Sequence, residues 1–315
     1  MSNRVKQRVD MRLSVPRVLP DGRKANVFPF HISLEGLEKA VMCRDDADYD
    51  TMVKTICICA KRKNVIVIIY TVVSNHCHVA VLAASQQDAE EYATELKKIY
   101  SMWFRQKYGE GGLLRRTSAV VIWLDNEWYV RNALAYIPRN ALDNGHNVGE
   151  YKWSGYPAMF SRNAVATEEC KRVSDLSKRD KRAIMHTCDD LSGVQWLLDS
   201  ENHLIPESIC DSTFLEQAFN NNQTFFIRTV GSVNSAEMDV KLVDAPRRKQ
   251  LDGDLFKVVS ELSNKWFGSP VAELSLEKKA RLMTYVYRCN RTTSVQLARI
   301  FGLSRTDTAN ILKNI

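Results

Sequence analysis

The stretch Val65-Ile-Val-Ile-Ile-Tyr-Thr-Val-Val-Ser-Asn-His-Cys-His-Val-Ala-Val-Leu-Ala83 decides how this chain is read. It is apolar and rich in β-branched residues, and it breaks once, at Ser74-Asn75. That pattern predicts two buried strands joined by a tight turn. Side chains at i and i+2 of a strand project from one face, so His76 and His78 share a face with roots about 6.6 Å apart. Imidazoles buried among valines need partners. They are either hydrogen-bonded core residues or two ligands converging on one metal ion, and a paired His-x-His favours the ligands.

Working outward, residues 28–34 and 37–43 read as a hairpin around Glu35-Gly36, and residues 46–62 as a helix with Tyr49, Met52, Val53, Ile56 and Ala60 on one stripe. Gln86–Tyr108 reads as a longer helix ended by Gly109, Gly111 and Gly112. A strand at Ser118–Leu124 precedes a helix that opens at Asp125 or Asn126. Tyr136 and Asn140 lie four apart and share a face if that helix continues, but Pro138 between them should disturb it. The order predicts an α+β fold: a ferredoxin-like antiparallel sheet with helices on one face, followed by a mainly helical C-terminal region. The expected division is a basic arm over 1–27, the α+β domain over 28–160, a mixed connecting region over 161–275 and a DNA-binding segment over 276–315.

The motifs Asn75-His-Cys-His78, Tyr136-Ile-Pro-Arg-Asn140 and Tyr151-Lys-Trp-Ser-Gly-Tyr156, in that order, resemble the single-tyrosine HUH transposases, and among them the REP-associated tyrosine transposases. Phe30-His-Ile-Ser33 and Arg44-Asp-Asp-Ala-Asp48 resemble the first strand of that family and the start of its first helix. The likeness spans roughly residues 28–160. The sequence departs from the pattern in Cys77 between the histidines and in Ala141, where the family has proline. The resemblance implies a metal-dependent single-stranded DNA endonuclease and strand transferase. Tyr136 would be the nucleophile, forming a 5′-phosphotyrosine, and His76, His78 and Asn140 would hold Mg2+ or Mn2+. The implied partner is single-stranded DNA with hairpin ends, handled by a monomer or homodimer. The departures motivate an alternative: an inactive, domesticated copy acting as a sequence-specific DNA-binding regulator.

Composition is consistent with that partner. The chain has 315 residues and a formal net charge of +7. The charge concentrates at the ends. Arg4, Lys6, Arg8, Arg12, Arg17, Arg23 and Lys24 stand near the N-terminus, and eight basic residues stand against Glu277 and Asp307 over 276–315. Ser294-Val-Gln-Leu-Ala-Arg-Ile-Phe-Gly-Leu-Ser304, followed by a second helical pattern, resembles a helix-turn-helix. Ser294 and Ser304 would cap its helices, and Arg305, Thr306, Thr308, Asn310 and Lys313 would be left for DNA. Eight cysteines without a Cys-x-x-Cys pair predict reduced thiols. With no signal peptide and no apolar run long enough to span a bilayer, a cytoplasmic location is expected. No Walker loop or Gly-x-Gly-x-x-Gly fingerprint is present, which argues against nucleotide-driven chemistry.

Overall fold

A computed structural model describes residues 13–35, 41–109, 119–161, 170–233, 252–289, 292 and 294–313. The deciding stretch forms β3 (Ile66–Val72) and β4 (His76–Ala83), paired antiparallel. On its other side β4 pairs with β2 (Lys24–Glu35), from Phe28 opposite Ala83 to Glu35 opposite His76. The far edge of β2 carries β5 (Val120–Trp123), with His31 opposite Ile122. This gives the antiparallel order β5-β2-β4-β3. With crossover helices α1 (Asp46–Arg62) and α2 (Gln86–Tyr108), it is the ferredoxin-like βαββαβ arrangement.

Both crossover helices begin where a side chain can satisfy an orphan amide. Asp45 accepts from the Asp48 N–H, and Ser85 from the Asp88 N–H. Gly109, at φ +69°, ends α2 in the left-handed region. Tyr92, Leu96, Tyr100 and Phe104 bury the inner face of α2. α1 and α2 pack on each other and cover the sheet face that carries Cys77, Val79 and Val81. The opposite face carries α3 (Glu127–Asp143), capped by Asn126. Pro138 lies inside α3, and the helix runs through it without breaking. Proline removes one N–H, and here the buried flank of α3, including Leu134, Tyr136, Ile137 and Ala141, holds the helix on the sheet.

Two local expectations change. Residues 24–27 belong to β2 and pair with an added strand, β1 (Val15–Val18), around a turn in which Gly22 has φ +86°. Part of the expected arm is therefore sheet, and Arg17 is tied at 2.6 Å to Asp211. The strand expected over 37–43 does not form in its described part. Met42 and Cys43 both donate their amides to the Ser74 carbonyl at the β3–β4 turn, which takes them off any ladder with β2. Residues 36–40 lie outside the described residues.

The apolar clusters also redraw the division of the chain. One runs from Leu19 to Val233 and includes Val173, Leu198 and Phe219. In it, α5 (Ser212–Ala218) and α6 (Gln223–Ser232) lie against α3, after α4 (Lys178–Met185). Arg131 donates to the Ala218 carbonyl at 2.6 Å, and Arg139 to the Val230 and Gly231 carbonyls at 3.0 and 2.7 Å. The second cluster begins at Leu255 on α7 (Asp252–Phe267). It joins α8 (Leu276–Cys289), α9 (Ser294–Phe301) and α10 (Arg305–Lys313). Of the described residues between 161 and 275, those from Val173 to Val233 contribute to the first cluster, and α7 contributes to the second with α8.

Candidate active site

Register builds the site. Residues directly opposite in an antiparallel ladder share a face. Glu35 opposite His76, Ser33 opposite His78, and Thr71 opposite His78 therefore define one polar face. His31, two residues from Ser33, is on it as well. α3 lies over this face and delivers Tyr136 and Asn140 one turn apart. The hydroxyl of Tyr136 stands 3.5 Å from His78 Nε2. Asn140 Oδ1 stands 3.0 Å from His76 Nε2.

Each group is held from behind. Asn140 Nδ2 donates to the Tyr136 carbonyl at 2.9 Å, which fixes the amide so that its oxygen faces His76. His76 Nδ1 is 2.7 Å from Asn75 Oδ1. When that oxygen accepts a hydrogen bond from Nδ1–H, Nε2 is left as a lone pair pointed at another lone pair on Asn140. Two acceptors at that distance repel unless a cation or proton lies between them. The pair therefore has the donor chemistry of half a cation site.

The site is deeply buried: Tyr136 is 3% exposed, His78 3%, Asn140 4% and His31 0%, while His76 is partly open. Burial drives the His78 pKa well below the usual histidine value, aided by the neighbouring His76 and His31, and takes His31 down to about 3. Both rings are neutral at ordinary pH, the form that binds metals. Among the described residues no group of three or more His, Cys, Asp and Glu is placed to hold a metal ion. No described helix is long and apolar enough to cross a membrane.

Residues 31–123 match the family model described as "Transposase IS200 like". The chain carries an IS200-like transposase domain. The matched segment includes His31, His76 and His78 and ends before α3, so Tyr136 and Asn140 join the site from outside it. A solved structure described as "Structure of the REP associates tyrosine transposase bound to a REP hairpin" is similar at 14% identity and a TM-score of 0.35, over 43% of this chain and 80% of that one. No curated protein matches the chain.

The transposase domain contains one polar residue that reading the sequence left without a role, His31, whose Nε2 is 3.1 Å from His78 Nδ1. Its sequence signals were a histidine inside the apolar run Phe28–Leu34 and its place in the motif Phe30-His-Ile-Ser33. In the C-terminal unit, Arg305, Thr306 and Asn310 are exposed on α10, and the side chain of Lys313 lies outside the described residues. Thr308 is buried and not available to DNA. Ser304 does cap α10, accepting from the Asp307 N–H at 3.0 Å, and Gly302 turns the chain at φ +63°. α9 starts at Ser294 itself, so Ser294 is its first residue and not its cap.

Proposed function

We propose that the domain is a metal-dependent single-stranded DNA endonuclease and strand transferase with Tyr136 as nucleophile. The observation that carries this is the meeting of Tyr136 and Asn140 with His78 and His76, one pair from α3 and one from β4. The Tyr136 phenol gives up its proton as its oxygen bonds phosphorus and the bond to the 3′ oxygen breaks. The products are a 5′-phosphotyrosine and, after proton uptake, a free 3′-hydroxyl. The bond energy stays in the phosphotyrosine, so a 3′-hydroxyl can reverse the step without nucleotide hydrolysis.

His76, His78 and Asn140 would hold the cation, Mg2+ or Mn2+, through two neutral imidazoles and one amide oxygen. When bound, the cation supplies Lewis-acid polarisation of the scissile phosphate. Asn75 and the Tyr136 carbonyl orient two of those groups, and burial excludes competing water. Hairpin-bearing single strands are the proposed substrate. Arg305, Thr306, Asn310 and Lys313 on α10 would add a second DNA-binding surface in a helix-turn-helix manner.

The test is incubation with labelled single-stranded hairpin DNA and Mg2+, followed by denaturing gel analysis for a covalent adduct. Wild type gives the adduct. Tyr136→Phe gives none and binds the hairpin as before. A wild-type protein that binds the hairpin without any adduct is a regulator and not an enzyme.

A further inference from the structure

We propose that His31 is a positioning residue that sets which nitrogen of His78 carries its proton, and so keeps His78 Nε2 as a lone pair on the side facing Tyr136. The inference rests on the reading of His78 as a ligand. His31 is fully buried, and its ring lies 5.1 Å from the His78 ring and 6.0 Å, edge on, from the Tyr136 ring. Among the described residues, the polar atom facing His31 Nε2 is His78 Nδ1, at 3.1 Å.

A neutral imidazole has one N–H and one lone pair. The gap between the two rings therefore holds a single proton. If that proton belongs to His78 Nδ1, His78 Nε2 is a bare lone pair. If it belongs to His31, His78's own single proton must sit on Nε2, which then can neither ligate nor accept from the phenol. Ligating histidines as a rule donate their second N–H to an acceptor behind them, which fixes both tautomer and ring angle. Here the usual carboxylate or carbonyl is replaced by a second imidazole.

The arrangement has a visible cost. His31 Nδ1 is buried with no hydrogen-bond partner among the described residues, and in the competent form it carries the proton. The unpaired atom is thereby moved one residue back from the reacting centre. An apolar residue at 31 would leave it on His78 itself.

Two measurements test this, neither needing DNA. The first is the 15N spectrum of the histidines in metal-free wild type: His78 is expected as the Nδ1–H tautomer. An Nε2–H His78 overturns the proposal. The second is Mn2+ titration followed by electron paramagnetic resonance, with thermal melts beside it. His31→Phe is expected to weaken Mn2+ binding by about 10- to 100-fold, the usual effect of losing an outer partner of a ligand. His31→Gln, whose amide oxygen can still accept, is expected to recover most of it. Unchanged affinity in a folded His31→Phe protein overturns the role. If wild type itself binds no Mn2+, the ligand reading of His76 and His78 fails separately, and the 15N result alone decides the tautomer.

Discussion

His78 and Val79 are neighbours in the chain, are both buried, and face opposite sides of the same sheet; so do His31 and Ile32. On the Val79 side, Ile32, Val79 and Val81 join the apolar core that α1 and α2 cover. On the His78 side, equal burial is given to imidazoles, a phenol and an amide, whose atoms face one another at 3.0 to 3.5 Å. The first side contributes stability in proportion to apolar area. The second side keeps a misfit, the unpaired His31 Nδ1, which contributes nothing to folding. Misfits of this kind concentrate where a structure is arranged for chemistry.

Substitutions on the two faces can break that comparison. His78→Ala is expected to lose Mn2+ affinity by more than the roughly 10- to 100-fold ascribed to an outer partner, while the protein still melts cooperatively. Ile32→Ala is expected to cost about 2–5 kcal/mol of stability, through lost transfer energy and an unfilled cavity, with Mn2+ affinity unchanged in the folded fraction. Isothermal titration with Mn2+ and denaturant melts of both variants check this. Two variants with the same profile would mean that the two faces do not divide chemistry from stability.

Most of this contrast is legible in the sequence, for a physical reason. α1 and α2 carry strong periodicity and local caps, so their limits follow from nearby residues. The same holds for β3 and β4, and for the tyrosine helix from Asn126 onward. What escapes depends on distant partners. The β1–β2 pairing joins Val15 to Val27 across a turn whose flanks look like a solvated basic arm. The absence of a strand at Met42 follows from one carbonyl, Ser74, that accepts both amides there. Pro138 reads locally as a helix breaker, and packing against the sheet overrides it. His31 needs the register with β4 before it can be placed beside His78.

The segment Tyr151–Gly155 sharpens the comparison at the sheet edge. It adds backbone bonds to β3, with Val72 N–H to the Trp153 carbonyl and Gly155 N–H to the Tyr70 carbonyl, and so covers an open edge. A Cβ on Gly155 would sit 2.9 Å from Cys210 Sγ and 3.2 Å from Tyr70. The glycine therefore answers to a cysteine supplied by the segment that follows the sheet domain. Gly155→Ser is expected to destabilise by about 1–3 kcal/mol through overpacking. Adding Cys210→Ala should restore part of that, a coupling of at least about 0.5 kcal/mol in a double-mutant cycle by denaturant melts. Additive effects would mean that the Tyr70 backbone, and not Cys210, sets the glycine.

The smallest effect belongs to the C-terminal unit, which tests how far the comparison reaches. Its core is mainly apolar, although Ser263, Gln296 and Thr308 are buried in this unit, and it too holds a buried atom without a hydrogen-bond partner among the described residues, Thr308 Oγ1. An isolated misfit is therefore not a site; the sheet face differs in having several polar groups that converge around it. If α10 meets DNA through Arg305, Thr306, Asn310 and Lys313, its contribution is charge on the outside, not chemistry within. Deletion after residue 233 removes this core whole, whereas a cut at 276 would strip α7 of its partners and expose Leu255 and Val259. The shortened protein should keep the fold of the first core, the Mn2+ site and cleavage of saturating single-stranded substrate. Its binding should weaken, and the slope of log affinity against log salt should become shallower. Each phosphate that α10 no longer neutralises reduces that slope by about 0.7 on single strands, or about 0.9 on duplex. A salt titration of hairpin binding for both proteins measures this. Equal slopes would make α9 and α10 a packing element, and would leave the face of β4 that carries His76 and His78 as the DNA-directed surface of the chain.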